Sequence, residues 1–528
     1  MPPEFSPEES TVLSRYFTNL DRPVFALRNL PEVVKGALFS RYSRTEKSLR
    51  RVLLDEFINE PESGFQTLAG APRTDDDMVA VRRAEEFYER VLVGYGDDSV
   101  AELAGAHVAV EQASTLAAKA LEDSRIGISP LEKSTRYVRF DRRGSDGRYL
   151  YYRGTELGHP DYEPAADALF ETYSGLVEPA TNAIRERFPQ EAGETDRAWK
   201  SATRAKALDL LRGLLPAGTL TNLGLFGNGR AFEYLVTKMA AHELPECRRL
   251  ATDLHGELSL VIPSFVRRAL DDRYGRPAAE RLERTRERTA MLAKRGRAEA
   301  APPSVRLVEF DPDAERKVVA AALYSHSNLP LDQQEAADTK AVLDALLADR
   351  TNRRQRPPRA LEHADYLFEV TANFAAYRDL HRHRMLTQDR QPLGTDLGYD
   401  SPPYLAELGM RDAFDRALEE AASVHGRLER ELGSALAQYL VPLGFHVRWY
   451  VRANLREVYH LCELRTTPQG HPDYRLVAQE MFRRVQEVHP RLASYARFVD
   501  LGPGDELERR RSEQKIDAKI DTINQRLR

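Results

Sequence analysis

The chain has 528 residues, too many for one hydrophobic core, so two or more domains are expected. A hydrophobic fraction of 42%, a charged fraction of 30% and a net charge of −5 describe a soluble globular balance, and they exclude the basic surface of a general nucleic-acid binder. Only two cysteines occur, Cys247 and Cys462, and neither has metal-ligand spacing, which excludes a disulfide scaffold and points to a reducing cytoplasm.

The first residues, Met1 to Ser10, are acidic and Pro-rich with no apolar core, so no secretion signal is expected. No window reaches the roughly eighteen apolar residues of a membrane span. Helical periodicity then dominates, and Glu102 stands second in the stretch from Ala101 to Asp123. Ser129-Pro-Leu-Glu132-Lys-Ser134-Thr-Arg136-Tyr137 reads as a polar turn whose hydroxyls, N–H groups and guanidinium could hold a phosphate. An incidental turn is the plainer reading of that segment alone. Aromatic runs at 137–140 and 149–152 around a Gly-Ser-Asp-Gly turn predict a β-hairpin.

Arg212 stands before Leu214-Leu215-Pro216, and Asn228-Gly229-Arg230 opens a helical pattern. Residues 281–301 are highly charged and Ala-rich, and read as a helix end followed by a linker. Val305 to Phe310 is a strand candidate. Glu362-His363 precedes a segment in which Tyr366, Phe368 and Val370 alternate before Phe374, Tyr377 and Leu380 take helical spacing. A strand passing into a helix follows, closed by Arg382-His383-Arg384. Those three could complement a helix dipole or bind an anion.

Asn454, Val458, Leu461 and Arg465 define one face of a later helix, with an amide at one end and a guanidinium at the other. The tail, Glu506 to Arg528, alternates charge around Ile516, Ile520 and Ile523 and reads as a solvated terminal helix.

The chain repeats itself. Pro216 precedes Asn228-Gly-Arg230 by 12 residues, and Pro442 precedes Asn454-Leu-Arg456 by the same 12. Upstream, Glu102 and Glu362 stand second in stretches of similar length. Two matched anchors in the same order argue for duplication.

These motifs together resemble the flavin-dependent thymidylate synthases, whose signature is RHRxxSxNExSxRY with an Arg before a Leu-Pro and a late N-x-R…LR helix. The first half keeps Ser129, Glu132, Ser134, Arg136, Tyr137 and Arg212, with Leu131 and Asp97 where the family has Asn and His. It lacks the RHR, and Met239 occupies the late Arg position. The second half keeps Arg382-His383-Arg384, Asn454, Arg456 and Arg465, but reads Gln391-Pro-Leu-Gly394 for the SxRY loop and Gln438 for Arg212.

The resemblance implies an α+β fold in two tandem copies, helix-rich with a small mostly antiparallel sheet in each. The copies span 1–300 and 301–502, followed by a tail at 503–528. It further implies reductive methylation of dUMP to dTMP with FAD, NADPH and methylenetetrahydrofolate, in sites built from both copies. Glu132, Ser134, Arg136, Arg212, Arg382 and Arg465 would bind dUMP, and Arg465 would carry the catalytic role. Ser99, Glu102, Asn228, Arg230, Arg382, His383, Arg384, Asn454 and Arg456 would bind FAD. No metal is expected, and a homodimer would imitate the family's tetramer. A homologue acting on another pyrimidine and a non-catalytic scaffold are the rival readings.

Overall fold

The computed structural model describes residues 5–43, 45–59, 101–294, 296, 299–300 and 302–527. Asp97 and Ser99 lie outside them. The chain forms two compact units. The first joins Met1–Glu111, Ala120–Glu132 and Asn222–Lys294; the second joins Gln112–Lys119, Lys133–Thr221 and Arg295–Arg528.

Among the described residues seven strands make two sheets. One contains β1 (Gly105–Ser114), β2 (Ile128–Glu132) and β3 (Leu220–Asn228) in the order β1-β3-β2. The other contains β4 (Ser304–Phe310), β5 (Asp365–Asn373), β6 (Thr387–Arg390) and β7 (His446–Asn454) in the order β4-β5-β7-β6. Without β4 the two orders are the same. Pairing is antiparallel, Ile128 facing Gly227 in one sheet and Asp365 facing Asn454 in the other. Along β7, Val447, Trp449, Val451 and Ala453 are buried while Tyr450 and Arg452 are exposed, the period of two that a strand imposes.

The helices repeat as well. β1 runs into α1 (Thr115–Glu122), as β5 runs into a later helix after Asn373. α2 (Tyr162–Arg187) packs on α3 (Asp196–Leu211), burying Leu169, Phe170, Tyr173 and Val177. β3 leads into α4 (Gly229–Ala240), and α5 (Gly275–Leu292) closes the first unit. In the second unit α6 (Phe374–Leu380) follows β5, α7 (Arg411–Leu432) packs against α2, and α8 (Leu455–Arg465) follows β7. α9 (Pro472–Val488) and the tail helix α10 (Arg510–Leu527) complete it. Among the described residues no helix is long and apolar enough to cross a membrane.

Matched positions take the same local roles. The Asn228 side chain accepts from Ala231 N–H at 2.8 Å, and that of Asn454 from Glu457 N–H at 3.0 Å, each capping the helix it opens. Arg230 pairs with Glu102 at 2.9 Å, and Arg456 with Glu362 at 2.6 Å. The two Leu-Pro segments face each other within the second unit. Pro216 bridges Pro442, Ala217 N–H donates to Val441 O at 2.8 Å, and Leu443 N–H donates to Leu215 O at 2.9 Å. This is a local two-fold between the repeats. Gly218 is required there, because a Cβ would lie 2.8 Å from Tyr439 O.

Two expectations are corrected. Residues 137–140 and 149–152 form no hairpin ladder. The Gly-Ser-Asp-Gly turn does close, with Gly144 N–H donating to Arg148 O at 2.8 Å and Gly147 at φ 77°. Beyond it only isolated bridges remain, Arg143 with Tyr149 and Tyr151 with Thr219. The rings are spent on packing, since Tyr149 and Tyr151 both stack on Phe170 of α2. The strand sits earlier, in the Ile128–Glu132 segment read as a turn; β3 supplies its partner.

Candidate functional site

The expected anion-binding residues of both sequence halves meet in the second unit. Ser134 sits in a turn where its Oγ accepts from Arg136 N–H at 3.2 Å. That turn directs Arg136 inward, where it is only 8% exposed. Its Nε and Nη2 grip Asp209 of α3, the closest contact at 2.7 Å. Arg212, one turn further on, is 3% exposed and donates from Nη1 to Asp379 of α6 at 2.9 Å. Burial opposes the charge of both carboxylates. For Asp209 it is outweighed by Arg136, His471 and Arg212. For Asp379 it is outweighed by Arg212, Arg136 and Arg465, and each carboxyl is held below the usual range.

Arg465 ends α8 and connects this group to the RHR triplet. Its guanidinium lies over the Tyr474 ring, 5.6 Å from the centroid, and the Tyr474 hydroxyl is 3.5 Å from Arg136 Nη1. On its other side Arg465 Nε donates to His383 Nε2 at 3.0 Å. The triplet alternates, with His383 buried and Arg382 and Arg384 exposed.

A cavity of about 460 Å³ opens here. Arg382, His383, Arg384, Asn454, Arg456 and Arg465 all line it, together with Glu362. Among the described residues the lining holds seven arginines and three glutamates, Glu362, Glu457 and Glu463. Such a surplus suits a ligand with several negative charges, the diphosphate of a dinucleotide among them.

Two features of this cavity escaped the sequence. The Arg350 fork meets Glu463 at 2.7 and 2.9 Å with both side chains buried, anchoring a loop that brings Arg353 and Arg356 to the lining. Glu457 and His460 also face inward, whereas Val458 and Leu461 of the predicted helix face are core residues at 0% and 2% exposure. The Glu-x-x-His spacing after an N-cap was the available signal.

His383, Glu457 and His460 bring ligand atoms within 4.8 Å of one another, a spacing that could hold a metal ion. The donor set does not fit one. Arg465 occupies Nε2 of His383, and the guanidinium surplus repels a cation.

The remaining expected residues stand in the first unit. Glu132 ends β2 and is buried; Asn228 caps α4; Glu102 and Arg230 form an exposed pair. The replaced positions are occupied differently. Met239 is fully buried in the first unit. Gln438 accepts from Leu393 N–H at 2.9 Å and from Arg390 at 3.2 Å, so the residue matching Arg212 in the second repeat is a neutral amide held by these two donors. Cys247 and Cys462 are both buried, and burial raises each thiol pKa, the condition of an inert cysteine.

The family model for thymidylate synthase complementing protein matches residues 51–264 and 306–491. A UPF0159 protein of Chlamydia muridarum is 42% identical over 95% of this chain and 97% of its own length. The flavin-dependent thymidylate synthase of Sulfolobus acidocaldarius is 28% identical over 36% of this chain and 76% of its own. A UMP/dUMP methylase, PolB of Streptomyces cacaoi, solved with 5-Br dUMP, shares 22% identity over 38% of this chain and 96% of its own, with a TM-score of 0.31.

Proposed function

Because the chain belongs to the thymidylate synthase complementing protein family, we propose that it reductively methylates dUMP to dTMP with FAD, NADPH and methylenetetrahydrofolate. The observation that carries this reading is the meeting of Arg136 and Arg212 with Arg465 and His383 around Asp379 and Tyr474. Each repeat lacks what the other supplies.

The guanidinium-rich cavity fits a flavin diphosphate, with Arg382, Arg384, Asn454 and Arg456 as its holders. Bound there, the flavin would supply the redox chemistry, and NADPH and the folate would supply hydride and carbon. Ser134, Arg136, Arg212 and Arg382 would hold the nucleotide phosphate. Arg465, half-buried on the cavity wall, would face the pyrimidine and stabilise negative charge as its carbon becomes nucleophilic. A preorganised donor of this kind contributes about 3–4 kcal/mol to such a step. Glu102, Glu132, Asn228 and Arg230 would complete the cofactor and substrate contacts.

The test uses purified full-length chain. Mixed with FAD and then desalted it should stay yellow, and with dUMP, methylenetetrahydrofolate and NADPH it should form dTMP. Arg465→Ala should abolish dTMP formation with the fold intact. A chain that takes up no flavin and forms no dTMP would overturn the reading. The carboxylate pairing of both phosphate arginines favours one second reading, a pyrimidine less charged than dUMP. Turnover of dUMP would exclude it.

A further inference from the structure

Arg465 has a partner whose protonation is fixed by elementary chemistry. A guanidinium Nε always carries its hydrogen, so at 3.0 Å it must donate, and His383 Nε2 must accept. His383 is therefore neutral with its proton on Nδ1. That Nδ1–H points at Glu457 Oε1, 2.8 Å away. Both side chains are nearly enclosed, His383 at 4% and Glu457 at 7% exposure. The opposite tautomer would set two hydrogens against each other at the Arg465 contact and leave Nδ1 without a proton to donate to Glu457.

We infer that Glu457 is a positioning residue: by fixing the His383 tautomer it aims the Arg465 guanidinium at the substrate ring. The inference rests on the nucleotide reading above for what Arg465 faces, but the relay itself rests on geometry alone. A carboxylate behind a histidine fixes ring orientation and raises the acceptor strength of the far nitrogen. Arg465 also has Tyr474 beside it, the ring centroid 5.6 Å from its guanidinium. Glu457 is faced by Arg456, His460 and Arg465 of its own helix, by Arg356 from the preceding loop, and by His383. Arg353 lies nearby, facing His460. Burial outweighs these cations and pushes the Glu457 carboxyl up to about 7. Burial and Arg465 together hold His383 neutral. The charge on Glu457, and with it the pull on His383, therefore changes near neutrality.

The experiment uses the full chain with ¹⁵N-labelled histidine, the His383 signals being assigned by difference from His383→Asn. The wild type should show Nδ1 protonated and Nε2 bare. A proton on Nε2 overturns the inference whatever the enzyme does. Kinetics supply the second readout. Glu457→Ala should lower kcat about tenfold or more while moving the nucleotide KM less than about threefold. Glu457→Gln keeps an acceptor and should restore kcat to within about threefold, but lose the inflection of kcat near pH 7. Should the alanine variant fail to fold, the glutamine variant decides. An unchanged pH profile in Glu457→Gln refutes the role. Wild-type protein with the expected tautomer but no dUMP turnover would sink the nucleotide reading and leave the relay standing.

Discussion

Arg136 and Arg212 reach the site already neutralised, by Asp209 and Asp379. A phosphate dianion approaching either guanidinium also meets the negative charge of the carboxylate beside it. Asp379 is held below the usual carboxylate range and stays ionised across neutral pH. Asp379→Asn should therefore tighten dUMP binding about three- to tenfold, roughly 0.6–1.4 kcal/mol, measured by titration calorimetry. Unchanged or weaker binding by a folded variant would show that Asp379 supports the ligand instead. Glu457 makes a separate prediction about stability. Its folded pKa, about 7, exceeds the unfolded value of about 4.3, so the folded state binds the extra proton between them. This contribution is fully present below pH 4.3 and is lost as pH rises toward 7. His383 acts oppositely. Its folded pKa is depressed, so its contribution is present above about 6.5 and is lost as pH falls. Glu457→Gln should consequently gain stability relative to wild type from pH 5 to pH 8 in urea denaturation; a constant difference would exclude the coupling.

At the scale of elements, the loop that begins at Arg350 depends on one buried ion pair. Arg350 also donates from Nε to Gln355 O at 2.8 Å, and the Gln355 side chain accepts from Thr351 N–H at 2.5 Å. Arg350→Met would leave Glu463 buried without its fork, at a cost of about 3–5 kcal/mol. Pairing it with Glu463→Leu should recover most of that loss in chemical denaturation. If the single variant loses nothing, the loop is not anchored there. The repeated elements were legible where a residue's local chemistry decides. Both Asn-x-Arg starts, the strand-to-helix passage after Tyr366 and the Val305 strand needed only capping groups and periodicity. The 137–152 hairpin was misread because aromatic runs suit a ladder and a ring stack equally, and Phe170 came from a distant helix.

Across the whole molecule, the tail is more than a solvated helix. Lys206 of α3 meets Glu508 at 2.6 Å with both side chains buried, and Arg197 pairs with Glu513 and Asp517 of α10. Arg509 lies over the Tyr137 ring, 4.3 Å from its centroid, directly beside Arg136. Arg509→Ala should weaken nucleotide binding about two- to fivefold through this contact, with an energy of about 0.5–1 kcal/mol. Equal affinity in calorimetry would confine the tail to a packing role. The losses in the two repeats also differ in kind. Met239 is core, and Gln438 is satisfied by a backbone N–H and Arg390. One flavin per chain, not two, is the expected ratio from absorbance against protein concentration.

The duplication, the family resemblance and the charged residues that survive in each copy are legible from the amino-acid order alone, because they are properties of residue type and spacing. That order also set the helix caps, since a cap needs only its own next turn. It takes the packed fold to bring the survivors of both copies into one unit, to set Asp209 and Asp379 against two of them, and to stand Glu457 behind His383. Those pairings join residues 73, 167 and 74 positions apart. No local propensity specifies such distances; the packing of α3, α6 and α8 does.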